Sequence, residues 1–186
     1  MTALFTSVFT GMEVIWDKQF GFLKETLVAP VSRFEIFVGK TLGGATVAVI
    51  QGILVFLITL IIGFRPENLL LLPVALGFLI LVACLFSALG TAIAARLEDM
   101  QGFPLILNFV IQPLFFLSGA LFPLKNLPAI LGVITKLNPL SYGVEGLRYG
   151  LTGVSHLPPL GGFAFLAAMI VLMVIIGSRQ FTRIEV

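Results

Sequence analysis

Four stretches of this sequence contain no Asp, Glu, Lys or Arg, and each is long enough to cross a membrane. They are residues 41–64, 68–95, 100–124 and 157–178. A helix that crosses the hydrocarbon core of a bilayer needs about 20 consecutive apolar residues. Strands of a membrane barrel would instead be about ten residues of alternating polarity. The runs therefore predict an all-α, polytopic membrane protein.

The composition excludes several other classes of protein. Of the 186 residues, 59% are apolar and only 11% are charged, whereas a soluble domain has about 25% charged residues. The net charge of +2 is far below the basic excess of a nucleic-acid-binding protein. The single cysteine, Cys84, lies within an apolar run and is interpreted as a packing residue.

The charges between the apolar runs predict a topology. We place full spans at residues 41–64, 68–95, 100–120 and 160–178, a cytoplasmic segment at 17–40 and an external re-entrant segment at 121–156. This arrangement puts seven basic residues inside and four outside, in agreement with the positive-inside rule. It predicts a multi-pass protein of the plasma (inner) membrane with a cytoplasmic C-terminus.

Residues 1–16 form an apolar stretch that carries Glu13 and is too short to span alone. No basic segment precedes it, as a secretory signal would require. Two interpretations stay open at this point: an interfacial N-terminal helix, or a partial membrane helix in a chain whose upstream part is missing.

The segment 17–40 alternates apolar and charged residues and is interrupted at Pro30, which predicts two short helical pieces. Ser32 and Glu35 have the spacing of a capping box, so a helix is predicted to begin after Ser32. Such a segment either lies at the membrane surface with its apolar side in lipid or forms a contact surface for a cytoplasmic partner.

Three amides stand within the predicted spans: Gln51, Asn108 and Gln112. Each either packs one helix against another or lines a substrate pathway. Asn108 and Gln112 are four residues apart, between Pro104 and Pro113, and we expect their shared face to point into protein rather than lipid.

The segment that follows the third span stays apolar although prolines interrupt it repeatedly. Irregular backbone at membrane depth must be buried in protein or line a cavity, so we expect this segment to dip into the bundle near its external mouth. Glu145 and Arg148 are spaced to pair on a short helix, residues 141–149, as a salt link or as ligand contacts. His156 is interpreted as an ordinary loop residue.

No phosphate-binding loop, zinc-protease motif or serine-hydrolase motif is present in the sequence. The spans also lack clustered ionisable residues, as an intramembrane enzyme would need. We therefore expect no enzymatic activity in this chain, and any ATP must be bound by another subunit.

Two sequence pieces, FGFLKETLVAPVSRFEIFVGK and LSGALFPLKNLPAILGVITKLNPLSYGVEGLRYGL, resemble the permease subunits of ATP-binding cassette exporters of the type-2 membrane class. The resemblance covers nearly the whole chain. It implies six membrane helices in the complete protein, so that this chain begins in the second. The missing upstream part becomes the favoured interpretation of residues 1–16.

The resemblance also implies roles for particular residues. The coupling helix that docks on the ATP-binding subunit matches about residues 20–38, and the external re-entrant helices match about 122–151. The implied contacts with the ATP-binding subunit are Phe20, Lys24, Glu25, Pro30 and Arg33. The candidates for an external gate are Pro139, Tyr142, Glu145 and Arg148.

The expected function is therefore the permease subunit of an ATP-driven exporter of a hydrophobic or amphipathic substrate, such as a drug, a lipid or a glycan-linked molecule. The expected partners are an ATP-binding cassette ATPase, a second permease copy in a homodimer or heterodimer, and membrane lipid. No cofactor is expected on this chain, because ATP and Mg would be bound by the partner. The alternatives are a non-transporting membrane scaffold and an ATP-independent channel.

Overall fold

The computed structural model describes residues 1–22, 30–97, 99–121 and 129–181. This part of the chain is built from helices and contains no strand, so the predicted all-α class is confirmed. The helices are α1 (Thr2–Phe9), α2 (Gly11–Gln19), α3 (Arg33–Ile61), α4 (Leu72–Arg96), α5 (Gly102–Phe116), α6 (Ala129–Leu137), α7 (Pro139–Thr152) and α8 (Pro159–Phe181).

Three helices of the described chain are long and apolar enough to cross a membrane. They are α3 with 29 residues, α4 with its preceding 3-10 turn (Leu69–Arg96, 28 residues) and α8 with 23 residues. At most a third of the most apolar window of each is buried inside the molecule. Large apolar surfaces thus remain for lipid or for another subunit, as a multi-pass membrane protein requires.

The fourth predicted span, 100–120, is shorter than expected. Its helix, α5, has only 15 residues and would be about 22 Å long at 1.5 Å per residue. The helix ends at Phe116, and Gly119 follows with a φ of 78°. That left-handed conformation does not continue a helix, so α5 by itself is shorter than the roughly 30 Å hydrocarbon core.

The core of the molecule is arranged around α4, which packs against α1, α2, α3, α7 and α8. Three aromatic or aliphatic side chains of α4, Phe78, Leu85 and Phe86, are at most 3% exposed. Both ends of α8 are held by ring contacts. Phe163 stacks edge-on against Phe78, and Phe181 stacks edge-on against Phe37 of α3.

The bundle has two ends. The basic end contains Lys18, Lys40 and Arg96, and the opposite end contains the α3–α4 connection and the connection from α7 to α8. At the opposite end, the backbone N–H of Glu67 donates to the carbonyl of Leu151. Helix α3 runs from the basic end to the opposite end, and α4 returns.

Helix α7 lies on α4 along a stripe of glycines. A Cβ placed on Gly143, Gly146 or Gly150 would lie 2.2–2.5 Å from atoms of Val82, Phe78 and Ala75, respectively. Small residues allow helices to approach this closely in membrane proteins. Since Val82 lies ten residues into α4, α7 begins beside the interior of α4 and returns to the opposite end, which is the path expected of a dipping segment.

Candidate functional site

The start of α3 is fixed by the capping box that the sequence predicts. The Ser32 hydroxyl accepts from the Glu35 backbone N–H at 3.3 Å, and the Ser32 backbone N–H donates to Glu35 Oε2 at 2.7 Å. These bonds satisfy backbone donors that the first helical turn leaves unpaired. Backbone and hydroxyl donation by Ser32 lowers the pKa of Glu35. The prediction of a helix start after Ser32 is confirmed.

Exposed aromatic side chains flank this helix start. Phe20, Phe22 and Phe34 are 69%, 59% and 52% exposed, and all three precede the predicted span 41–64. Pro30 and Ser32 are also exposed, and Arg33 is half-buried. Lys24 and Glu25 lie outside the described residues. The described candidates for contact with an ATP-binding subunit therefore lie close together along the chain, at the basic end.

Two consecutive residues of α2 join this region to the rest of the bundle. Asp17 pairs with Lys40 of α3 at 2.5 Å. Lys18 Nζ donates to the carbonyl oxygens of Ala94, Ala95 and Leu97 at 3.1, 2.6 and 3.2 Å. Neither contact is predicted from the sequence. The partners of Lys18 are backbone atoms more than 75 positions away, so no residue type marks them.

Gln51, a candidate for the translocation pathway, bonds to the first helix of the chain. The Thr6 hydroxyl donates to Gln51 Oε1. A second polar link lies nearer the basic end, where the hydroxyls of Thr10 and Ser87 are 3.4 Å apart and Ser87 donates to the Thr41 carbonyl at 2.8 Å. The packing role of Gln51 is therefore visible in the structure, and its pathway role stays a prediction.

A groove lies beside these polar links on the outer surface of α1, α2 and α3. Its volume is about 410 Å³, and its lining residues are Phe5, Thr6, Phe9, Thr10, Glu13 and Val47. Glu13 is exposed and has no ion-pair partner among the described residues. Glu13 thus adds a carboxylate beside two hydroxyls and two phenyl rings, a polar feature that is not among the pathway residues predicted from the sequence.

The two amides of α5 lie outside the buried face of that helix, and their orientation towards protein rather than lipid stays a prediction. Asn108 is exposed and Gln112 is half-buried. The inward face is instead occupied by a stripe of large apolar side chains four residues apart, namely Phe103, Leu107, Ile111 and Phe115.

The irregular helix of α5 explains this arrangement. Residues Leu107–Ile111 are π-helical, and a π-helix has more residues per turn than an α-helix. A four-residue repeat therefore stays on one face, and the large apolar side chains take the contact with the bundle. Asn108 is displaced to the exterior of α5 and Gln112 to its flank.

At the opposite end, Glu145 lies at the centre of a small polar cluster. Its side chain is 2% exposed and forms the predicted ion pair with Arg148. The backbone N–H of His156 donates to Glu145 Oε2 at 2.6 Å, and His156 Nδ1 lies 3.4 Å from the same oxygen. His156 lies in a loop, and its backbone N–H fixes the α7–α8 connection to a buried carboxylate.

Arg148 extends the cluster to α5. Its Nη2 donates to the Gly119 carbonyl at 3.1 Å, and Gly119 has a φ of 78°, a conformation that glycine adopts without a steric penalty. The Glu145–Arg148 pair therefore joins the end of α5, helix α7 and the connection to α8.

The remaining gate candidates do not share one face with this cluster. Pro139 is the first residue of α7, and the preceding Asn138 caps the helix by accepting from Leu140 N–H at 3.0 Å. Tyr142 stacks on Phe165 of α8 with 4.6 Å between ring centroids. Residues three positions apart in an α-helix are offset by about 60° around the helix axis. Tyr142 and Arg148 are six positions apart, so their side chains are offset by about twice that angle. Tyr142 and Arg148 consequently contact different neighbours.

In the described part of the chain, no three His, Cys, Asp or Glu side chains lie together as metal ligands would. The groups available for ligand contact are amides, hydroxyls, aromatic rings and the carboxylate of Glu13. Groups of these kinds occur in sites that recognise organic molecules.

Comparisons with known proteins find related membrane transport permeases. Inner membrane transport permease YadH of Escherichia coli (strain K12) is 32% identical over 150 residues, which cover 80% of this chain and 57% of that protein. Putative transport permease ycf38 of Pyropia yezoensis is 34% identical over 155 residues, covering 78% of this chain and 50% of that protein. Nodulation protein J of Rhizobium leguminosarum bv. viciae is 28% identical over 127 residues, covering 68% of this chain and 48% of that protein.

The chain spans about half the length of the curated relatives it matches. The family model described as ABC-2 type transporter matches residues 1–152, which include helices α1 to α7 with both predicted functional segments. This multi-pass membrane chain belongs to the ABC-2 type transporter family.

Proposed function

We propose that this chain forms membrane-spanning helices of a permease subunit in an ATP-driven exporter. The observation that carries the proposal is the exposed, capped helix start at the basic end, in a chain matched by the ABC-2 family model over residues 1–152. An ATP-binding cassette subunit docks there, against residues 20–38, and supplies both ATP and Mg. The chain itself catalyses no covalent step.

The surface at the basic end has the chemistry of a protein contact. Phe20 and Phe34 are more than half exposed, and exposed aromatic side chains are enriched at protein interfaces. The neighbouring sequence holds the charged pair Lys24 and Glu25 and the cation Arg33. A partner with complementary charges and an apolar pocket fits this composition.

The translocation pathway lies between two permease copies, in a homodimer or a heterodimer. Support comes from Asn108 on the exterior of α5 and from Gln112 on its flank. The groove that contains Glu13 also supports it. Polar groups on the outside of a membrane bundle need a partner other than lipid. An apolar pathway with a few polar groups suits a hydrophobic or amphipathic substrate.

The arrangement of the opposite end supports a gate there. Glu145 and Arg148 join α5, α7 and the α7–α8 connection, so a change in this cluster would move three segments together. Packed helices rearrange between discrete states rather than deforming continuously. In the proposed cycle, closure of the ATP-binding subunits shifts the bundle from inward-open to outward-open.

The test is affinity purification of the full-length protein from its native membrane, followed by identification of the co-purifying proteins. An ATP-binding subunit with a phosphate-binding loop is expected. Its reproducible absence would favour the membrane scaffold or the ATP-independent channel. A charge-reversed variant, Glu25→Arg with Arg33→Glu, is expected to lose the subunit while still inserting in the membrane.

The matched control is the double reversal Arg65→Glu with Glu67→Arg. It exchanges the same residue types at exposed positions of the opposite end. Retention of the ATP-binding subunit by this control and its loss in the first variant would place the contact at the basic end. Equal retention by both would contradict the docking surface.

A further inference from the structure

The C-terminus of α4 is capped by a side chain from another helix. The last carbonyl groups of a helix have no partner within the helix, and many helices end in a glycine that allows the chain to fold back on them. Here Leu97 follows Arg96 in an extended conformation, with a φ of −90° and a ψ of 139°. The Leu97 backbone N–H donates to the Ala94 carbonyl at 3.2 Å. The Lys18 ammonium completes the cap and contacts the carbonyls of Ala94, Ala95 and Leu97.

The geometry of this cap suits a cation with several N–H donors. A lysine side chain has three N–H donors and no acceptor, and the three carbonyl oxygens lie 3.1, 2.6 and 3.2 Å from Nζ. A positive charge is also favoured at the negative end of the helix dipole. Lys18 therefore satisfies several carbonyls at once and fixes the end of α4 to α2.

The adjacent Asp17 fixes the same short helix to α3 through Lys40. Helix α2 is thus held by two neighbouring charged residues to two different membrane helices. It also leads directly into the proposed docking segment, since it ends at Gln19. A displacement of that segment therefore acts on α3, whose first residues it contains, and on α2, which is tied to both α3 and α4.

We propose that Lys18 is a positioning residue for energy coupling: it makes α2 and the basic end of α4 move as one body when the ATP-binding subunit acts on residues 20–38. The inference rests on the proposed function and deepens it. A movement of α4 would be passed to most of the bundle, because α4 packs on α1, α2, α3, α7 and α8. The glycine stripe of α7 also lies on α4.

The experiment uses the full-length protein with its co-purified ATP-binding subunit in lipid nanodiscs. Spin labels are attached at Trp16→Cys and Arg96→Cys in a Cys84→Ala background, because Trp16 and Arg96 are both exposed and lie at the facing ends of α2 and α4. A second label pair at Arg65→Cys and Ser155→Cys reports on the opposite end. Distances are measured without nucleotide and with ATP, Mg and vanadate.

With Lys18 in place, the Trp16–Arg96 label pair should give a narrow distance distribution that nucleotide leaves unchanged. Nucleotide should change the distance between the labels at Arg65 and Ser155. In Lys18→Met, the first distribution should broaden and the nucleotide response of the second pair should be lost, although the ATP-binding subunit still co-purifies. Lys18→Arg, which keeps charge and donors, should retain the response. Lys136→Met, an exposed lysine on α6, is the matched control.

A merely structural role would lower the melting temperature of Lys18→Met but leave its nucleotide response intact, and that result would overturn the inference alone. Failure of the wild-type protein to co-purify an ATP-binding subunit would overturn the proposed function and this role with it. If Lys18→Met does not accumulate, Lys18→Gln replaces it, since a neutral amide keeps donors without the charge. A full response in Lys18→Gln would equally refute the need for the ammonium.

Discussion

Gly11 and Gly90 lie in direct backbone contact where α2 crosses α4. A Cβ placed on Gly11 would lie 2.4 Å from the Gly90 carbonyl oxygen, and a Cβ on Gly90 would lie 2.4 Å from the Val8 carbonyl oxygen. Neither position accepts a larger residue without separating the helices. The close crossing brings α2 near enough for Lys18 to reach the carbonyls at the end of α4.

The first prediction follows from this crossing. Gly90→Ala should destabilise the purified protein by about 1–3 kcal/mol, because the added methyl group meets backbone that cannot turn aside. The measurement is thermal unfolding in detergent. The control is Gly43→Ala on α3, where a Cβ would meet nothing within 4 Å, and where alanine favours the helix by up to about 1 kcal/mol. Equal melting temperatures for the two variants would contradict the close crossing.

The second prediction concerns the capping box. Ser32→Ala removes the hydroxyl that accepts from Glu35 N–H, and loss of such a cap typically costs about 1 kcal/mol. Amide hydrogen exchange in the first turn of α3 should therefore be about five-fold faster. Ser178→Ala on α8 is the control, because Ser178 is a half-buried serine whose hydroxyl donates to a carbonyl within its own helix and caps no helix start. Unchanged exchange at residues 33–36 in Ser32→Ala would show that the cap does not hold the helix start.

The third prediction concerns the buried carboxylate at the opposite end. Glu145→Gln should destabilise this end by up to about 3 kcal/mol, since it leaves Arg148 without its ionic partner. The loss should be smaller than for a fully buried pair, because Arg148 is 30% exposed. The loss of stability is measured as the rate of limited proteolysis in the α7–α8 connection, residues 153–158. Glu67→Gln, at an exposed position of the same end, should leave cleavage unchanged.

A double variant separates the ion pair from other effects of the same substitution. Arg148→Met combined with Glu145→Gln removes both charges, so no unpaired ion remains. Cleavage should then fall below that of Glu145→Gln alone. Faster cleavage in the double variant would indicate that Arg148 acts mainly through Gly119, whose carbonyl it contacts at 3.1 Å.

The sequence predicts those features that depend on neighbouring positions. Long uncharged runs identify α3, α4 and α8, and a three-residue spacing identifies the Ser32–Glu35 box and the Glu145–Arg148 pair. These interactions are set within one or two helical turns, so spacing alone is informative.

Contacts between distant positions leave no comparable signal. Lys18 bonds to carbonyl oxygens, which every residue possesses, so no residue type marks its partners. Gly11 and Gly90 are 79 positions apart, and glycines are common throughout the chain. The position of Asn108 likewise depends on its neighbours and not on the spacing of the two amides alone. The apolar stripe at four-residue spacing, together with the π-helical turn, places Asn108 outside.

The last prediction tests the exposed aromatic surface at the basic end. Phe20→Ser with Phe34→Ser should abolish co-purification of the ATP-binding subunit while changing the stability of the isolated subunit by no more than about 0.5 kcal/mol, as is usual for exposed positions. Both side chains are more than half exposed, so their removal opens no cavity. The control is Phe64→Ser, a partly exposed phenylalanine at the opposite end. If the double variant keeps the subunit, these rings lie in lipid at the membrane surface instead, and the docking contact is carried by the charged residues of the segment.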